Sequence, residues 1–284
     1  MDITSEMIKK LREKTGAGMM DCKRALESTG GDMDAAIEHL RKKGAAIAQK
    51  RSDRSAKEGV IVTRVSSNAK TGVVVEVNCE TDFVGRSDDF IRFAQAVAEA
   101  IELHKPKSLE EIPGLANSNG KKISDLMNDV LAKVGEKVDI RRYHVFEAGS
   151  GIVSAYTHLG NRIGVLVELE GIASGSPVAR DIAMQIAAMN PAVVDRKQVD
   201  RSWIEQEMDI YRTQAKNEGK PEQIQNKIAQ GRLEKFYQEV VLTEQTFIKD
   251  PGKTITDVLK EAGSSEHPAL IRRFQRFHLG EDTK

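Results

Sequence analysis

GVVVEVNCETDFVGRSDDF, residues Gly72 to Phe90, is the stretch on which the reading of the chain turns. Four valines, at 73, 74, 75 and 77, predict a strand that runs straight into Asp82 and Phe83, and a helix starts again near Asp88. β-Branched residues favour the pleated, half-buried surface of a sheet. A phenylalanine beside an aspartate at the end of such a strand admits two readings. Turned inward, it caps its own core and gains roughly 1.5–3 kcal/mol from burial. Turned outward, it enters another protein.

The chain contains this unit twice, and only one copy carries the Asp-Phe pair. The first copy begins at Gly59-Val60-Ile61-Val62 and reaches Gly72-Val73-Val74-Val75-Glu76-Val77; the second begins at Gly151-Ile152-Val153-Ser154 and reaches Gly164-Val165-Leu166-Val167-Glu168-Leu169. Thirteen residues separate the paired glycines in each copy. An alanine-rich helix follows in both, FIRFAQAVAEAI from Phe90 and ARDIAMQIAAM from Ala179. A short helix signal then recurs, Ile123-Ser124-Asp125-Leu126 and Ile255-Thr256-Asp257-Val258. Each copy closes on a like strand, Ile140-Arg141-Arg142-Tyr143 and Ile271-Arg272-Arg273-Phe274. Where the first copy has its Asp-Phe loop, the second has the shorter Gly171-Ile172-Ala173-Ser174-Gly175-Ser176-Pro177, with no aromatic. A residue needed only to close the core would be kept in both, so the outward reading of Phe83 is favoured.

Around this duplication the organisation follows from periodicity. The spacing of Ile8 and Leu11, of Met19, Cys22, Ala25 and Leu26, and of Met33, Ile37 and Leu40 predicts three short helices in residues 1–45, with stops at Gly16 and Gly30-Gly31 and Asp32 as an N-cap. Residues 46–58 read as a basic linker. Core subdomain 1 spans 59–147 and core subdomain 2 spans 148–284. Their short strands lie close enough in sequence to form hairpins, so antiparallel sheets covered by helices are expected, an α+β arrangement. Within the second subdomain, at about 195–245, Ile204, Met208, Tyr211 and Ala215 and then Ile224, Ile228, Leu233, Phe236 and Val240 predict an inserted antiparallel coiled-coil hairpin, broken at Glu218-Gly219-Lys220-Pro221.

Composition narrows function. The 284 residues carry equal numbers, 43 each, of Lys+Arg and Asp+Glu, which argues against a chain built chiefly to hold nucleic acid. The basic stretch 41–57 leaves open an RNA- or ribosome-associated module, although no aromatics are interleaved for base stacking. No run is apolar enough to span a bilayer, the N-terminal residues lack an apolar signal core, and two distant cysteines fit a reducing compartment; a cytoplasmic protein is expected. Phosphate-binding glycine motifs, HExxH and CxxC are absent, so no cofactor, metal site or catalytic residue is expected. Cys22 paired with a distant histidine is the one enzymatic alternative, but it sits on an apolar helical face where core packing is the better reading.

Three segments resemble the elongation factor Ts family: LREKTGAGMMDCKRAL (Leu11–Leu26), VEVNCETDFV (Val75–Val84) and HLGNRIGVLVEL (His158–Leu169). The resemblance implies a ubiquitin-associated-like N-terminal domain, two related core subdomains and an inserted coiled coil. It implies a guanine nucleotide exchange factor for elongation factor Tu, not an enzyme, with no membrane and no specific nucleic-acid partner. A complex of two plus two chains is one stoichiometry it allows. Carried over by position, Thr81, Asp82, Phe83 and Val84 form the motif that meets the GTPase domain, where the phenylalanine wedges between two helices and disturbs the magnesium site. Arg12, Met19 and Met20 would contact the same domain, and Tyr156, His158 and Arg162 the partner's C-terminal barrel; for Met19 and Met20 packing inside the helical domain stays open, as does a plain surface role for Arg162. Some members continue into an extra C-terminal helix. This sequence closes on Leu279-Gly280-Glu281-Asp282-Thr283-Lys284, so that contribution is expected to be missing.

Overall fold

A computed structural model describes residues 3–50 and 54–282. The N-terminal helices are α1 (Ser5–Thr15), α2 (Met19–Ser28) and α3 (Met33–Lys50). Thr4 caps α1 by accepting the Met7 N–H at 3.2 Å, and Gly16, at φ 68°, ends it in the left-handed conformation. Asp32 accepts the N–H groups of Asp34 and Ala35 at the start of α3. Leu11, Ala17, Cys22, Leu26, Ala36 and Leu40 form the small core of this domain. Met19 is not part of it: at the first position of α2 it is 59% exposed, because the face that closes on α1 and α3 begins with Cys22. α3 continues to Lys50, so residues 46–50 of the expected linker are helical, and residues 51–53 lie outside the described residues.

The first core unit comprises β1 (Glu58–Val65), β2 (Thr71–Cys79), the single turn α4 (Asp82–Gly85), α5 (Asp88–His104), α6 (Ile123–Val134) and β3 (Val138–Glu147). The second comprises β4 (Ile152–Thr157), β5 (Ile163–Glu170), α7 (Pro177–Met189), the helical pair α8 (Arg201–Asn217) and α9 (Glu222–Val240), the short strands β6 (Thr246–Phe247) and β7 (Asp250–Thr254), α10 (Ile255–Ala262) and β8 (Leu270–His278). Two antiparallel three-stranded sheets result, ordered β1-β2-β3 and β4-β5-β8. Each carries an irregularity at the same place in the repeat, between Glu76 and Val77 and between Glu168 and Leu169.

The central strands explain the stacking. β2 and β5 are buried almost throughout, so both their faces are covered. Val73, Val75, Val77 and Cys79 meet Phe90, Phe93 and Val97 of α5 and Leu131 of α6. Val165, Val167 and Leu169 likewise meet Ile182 and Ile186 of α7 and Leu259 of α10. The alternate residues face the other sheet, where Ile61 and Val74 join Phe146, Val153, Leu166 and Phe277. The order is therefore helices, sheet, sheet, helices. Gly72 and Gly164 sit at this seam, where an added Cβ would overlap Val153 and Ile61 respectively.

Charge closes the seam symmetrically. Glu76 is fully buried and takes Arg142 Nε at 2.7 Å, Arg141 at 3.2 Å and the Gly280 N–H at 3.0 Å. Glu168 takes Arg273 Nε at 2.6 Å. Arg142 stacks on Phe277 at 4.2 Å, and Arg273 stacks on Phe146 at 4.4 Å, each reaching from one repeat to the ring of the other.

α8 and α9 run antiparallel, with Arg212 bonded to Asn226, Arg232 to Gln214 and Glu218, and Trp203 edge-on to Phe236 at 4.9 Å. Ala215 and Ala229 are buried between them, whereas Ile224 faces out. Arg196 fastens their base, pairing with Glu234 and Glu244 while stacking on Tyr237 at 4.2 Å.

Candidate functional site

β2 ends at Cys79, whose side chain still points into the core, and the chain then turns outward. Burial, together with the nearby carboxylates of Glu136 and Glu58, pushes the Cys79 thiol up to about 12, so it stays protonated and donates to the Thr81 carbonyl at 3.1 Å. Thr81 is the N-cap of α4, its hydroxyl accepting the Val84 N–H at 3.4 Å. Val84 leans on the first core, and Gly85 is buried against Gly59, where a Cβ would come within 3.2 Å of the Gly59 carbonyl. With those two residues turned in, the geometry of one helical turn leaves Phe83 turned out, 83% exposed. Asp82, beside it, is bound to Arg86 at 2.5 Å, both at the surface.

Two carboxylates hold this turn. Glu136, in the bend between α6 and β3, accepts from Thr81 N at 3.0 Å and Thr81 Oγ1 at 2.9 Å. Glu80 accepts from Lys137 N at 2.7 Å and from Arg54 at 3.0 Å. The loop is thus built and fixed without using the aromatic ring.

A second apolar projection stands at the β4–β5 hairpin. Gly160 (φ 83°) and Asn161 (φ 54°) make the reversal, and Leu159 is 89% exposed at its tip. Tyr156 Oη lies 3.0 Å from His158 Nδ1, and Arg162 is paired with Glu58 at 2.9 Å. The Ile61 N–H donates to the Asn161 carbonyl at 2.7 Å. β1 starts at Glu58, which lies opposite Cys79 in the sheet, so hairpin and Phe83 turn occupy the same end of the double sheet. Tyr156 and His158 are thus in contact with each other, whereas Arg162 is turned to Glu58 of the first unit; all three lie at the end of the double sheet that carries Thr81–Val84.

Arg12, in the last turn of α1, is exposed, as are Met19 and Met20 (62%) at the start of α2. Both methionines face solvent, so neither fills the helical core. The domain that carries them is fixed to the first core unit through α3 and α6. Gly44 lies against the Asn128 backbone, Arg41 pairs with Asp129 at 3.2 Å, and Gly16 abuts the Lys133 side chain.

Sequence reasoning missed Leu159, Glu80 and Glu136. A large apolar residue before Gly160-Asn161-Arg162 is itself a signal, since a turn tip offers no core to receive it. Glu136 had none: its meaning depends on a contact across 55 residues of chain.

Residues behind the alternative readings have partners within the chain. Cys22 is buried, its thiol raised by that burial and turned to the Ala17 carbonyl at 3.6 Å. In the basic stretch, Arg41, Lys42 and Lys43 are paired with Asp129, Glu38 and Asp21, and part of the stretch lies outside the described residues. Among the described residues there is no group of three or more His, Cys, Asp or Glu that could hold a metal ion, and no helix long and apolar enough to cross a membrane.

Comparison with known proteins agrees with the resemblance. A family model described as elongation factor TS matches residues 80–281. Elongation factor Ts of Chloroherpeton thalassium is 46% identical over 99% of both chains. That of Prosthecochloris aestuarii is 47% identical over 98% of this chain and 99% of its own. That of Clostridium perfringens is 45% identical over 98% of this chain and 93% of its own.

Proposed function

The chain belongs to the elongation factor Ts family, the guanine nucleotide exchange factors of translation elongation, and from that premise we propose that it releases GDP from elongation factor Tu, in the cytoplasm, by inserting Asp82 and Phe83 beside the magnesium site of the GTPase. The observation that carries this reading is the exposure of Phe83 on a turn that its neighbours hold in place. An aromatic ring left in water on a fixed support loses little freedom on binding and gains its burial energy only in a partner.

A bound nucleotide leaves a GTPase slowly because magnesium and backbone N–H groups grip its phosphates. A factor that binds the empty state better than the loaded one speeds release, and nucleotide weakens the factor to the same extent. A coupling of about 4 kcal/mol corresponds to roughly a thousandfold change in affinity. In this reading Phe83 supplies the wedge and Asp82, steadied by Arg86, a polar contact at the mouth of the site. Thr81 and Val84 fix the wedge to its scaffold. Arg12, Met19 and Met20 extend the contact on the GTPase domain. Tyr156, His158 and Arg162 hold a second domain of the partner, so that the wedge is driven in by binding at both ends.

The test is the release of a fluorescent GDP from elongation factor Tu, with wild-type protein and with Phe83→Ala. Slowed release with an unchanged unfolding midpoint is expected. Undiminished stimulation by Phe83→Ala would remove the ring from the mechanism.

A further inference from the structure

We propose that Glu136 is a positioning residue for exchange: it holds the Phe83 turn in its outward conformation by clamping Thr81, and it does so from the end of the helix that carries the N-terminal domain. This rests on the function proposed above.

The geometry is specific to the clamp. One carboxylate takes both the main-chain N–H of Thr81 (3.0 Å) and its hydroxyl (2.9 and 3.1 Å to the two oxygens). Because the Thr81 proton is committed to Glu136, the hydroxyl lone pairs face the Val84 N–H and cap α4. Glu136 thereby fixes the residue whose side chain starts the turn bearing Phe83. The adjoining pair runs in the opposite sense, with the Glu80 carboxylate on the Lys137 N–H at 2.7 Å, so residues 80–81 and 136–137 brace each other reciprocally.

The internal repeat supplies an independent observation. With Ile140 matched to Ile271, Glu136 falls opposite His267, which is exposed and bonded through its N–H to Ser264. The second copy thus lacks the clamp as well as the aromatic turn. A carboxylate required by the shared sheet-and-helix fold would have a counterpart there; one required by the Phe83 turn would not.

The position of Glu136 also links two surfaces. It directly follows Gly135, the left-handed C-cap of α6, and α6 carries Asn128 and Asp129, on which α3 of the N-terminal domain rests. Arg12, Met19 and Met20 on one side and Phe83 on the other are therefore both tied to α6 and the residues that follow it, with Gly16 against Lys133 and Thr81 on Glu136.

The experiment is a double-mutant cycle on stimulated GDP release, joined to amide hydrogen exchange of the free protein. Glu136→Ala should slow release about tenfold in the wild-type background and by under about twofold in the Phe83→Ala background, since a residue acting through the ring has nothing left to position. Amides of Val84 and Gly85 should exchange faster in Glu136→Ala while those of the α5 core do not. Thr81→Val should reproduce Glu136→Ala, and Thr81→Ser should restore release. Should Glu136→Ala lower the unfolding midpoint, Glu136→Gln, which keeps one acceptor, takes its place in the cycle. Equal slowing in both backgrounds, or release and exchange both unchanged, overturns the assignment. If Phe83→Ala itself leaves release intact, the proposed function fails, and the amide arm alone decides whether Glu136 holds the turn.

Discussion

The two repeats treat the loop after their central strand in opposite ways. In the first, Val84 and Gly85 are turned in and Phe83 is presented to water. In the second, Ile172 is 8% exposed and closes the core of α7, α10 and β5, while Gly171 (φ 68°) lies so close to Pro268 and Ala269 that any side chain would overlap them. Each core thus has its own aliphatic closure, Val84 or Ile172, and the phenylalanine is additional to what the fold needs. The same plan yields a sealed end in one copy and an end with an exposed ring in the other. Under the proposed function, the first copy gives to recognition a position that the scaffold itself does not need.

This contrast can be broken by exchanging the properties. The largest effect is expected from Phe83→Ala: stimulated GDP release about a hundredfold slower, as for a central anchor of an interface, with the denaturant midpoint unmoved. Equal loss of stability and exchange would mean that the ring belongs to its own core. Ile172→Ala should do the reverse, costing about 2–4 kcal/mol of unfolding free energy by denaturant titration while the folded fraction keeps its exchange rate. Next come the seam glycines. Gly72→Ala and Gly164→Ala should each destabilise by about 1–3 kcal/mol in the same titration, because the added methyl meets Val153 or Ile61 across the sheets. A neutral result at either would mean that the sheets part more readily than their buried seam implies.

The smallest effect is a pH dependence. Burial works against the Glu76 charge, but the Gly280 N–H, Arg142 and Asn78 outweigh it and hold the carboxyl below its ordinary value. A carboxyl depressed in the folded state contributes stability that is present above its unfolded value, about 4.3, and is lost as pH falls through the lower folded value. Stability should therefore drop on acidification below about pH 4.3, and Glu76→Gln should flatten that drop in denaturant titrations taken across the range. An unflattened profile would place the acid sensitivity elsewhere.

Much of this was legible before any coordinates. The glycine spacing announced the duplication because glycine is required where sheets approach too closely for a Cβ, at Gly72 and Gly164. The apolar run GVVVEV marked the strand itself; that both its faces are covered emerges only in the structure, where β2 is buried almost throughout. What sequence could not convey was partnership at a distance. That the second face of each sheet would be covered by the other repeat depends on contacts such as Ile61 with Leu166. The exposure of Met19 depends on where α2 begins relative to α1 and α3, which a helical face read from spacing does not contain. Within the candidate site, Phe83 was found by asymmetry between the copies. Its support, Glu136, stands among ordinary charged residues and is distinguished only by what it touches.

One consequence concerns the making of the molecule. Ile61 and Val74 are sealed by Leu166 and Phe277, and Glu76 has its Gly280 N–H from the far end of the second sheet. A nascent chain that has emerged only to residue 150 holds a greasy surface and a carboxylate with no neighbours from the later half. It cannot reach its final state one unit at a time, in the manner of beads leaving the ribosome in turn. The first half can bury that surface only when the last strand is out and both halves meet.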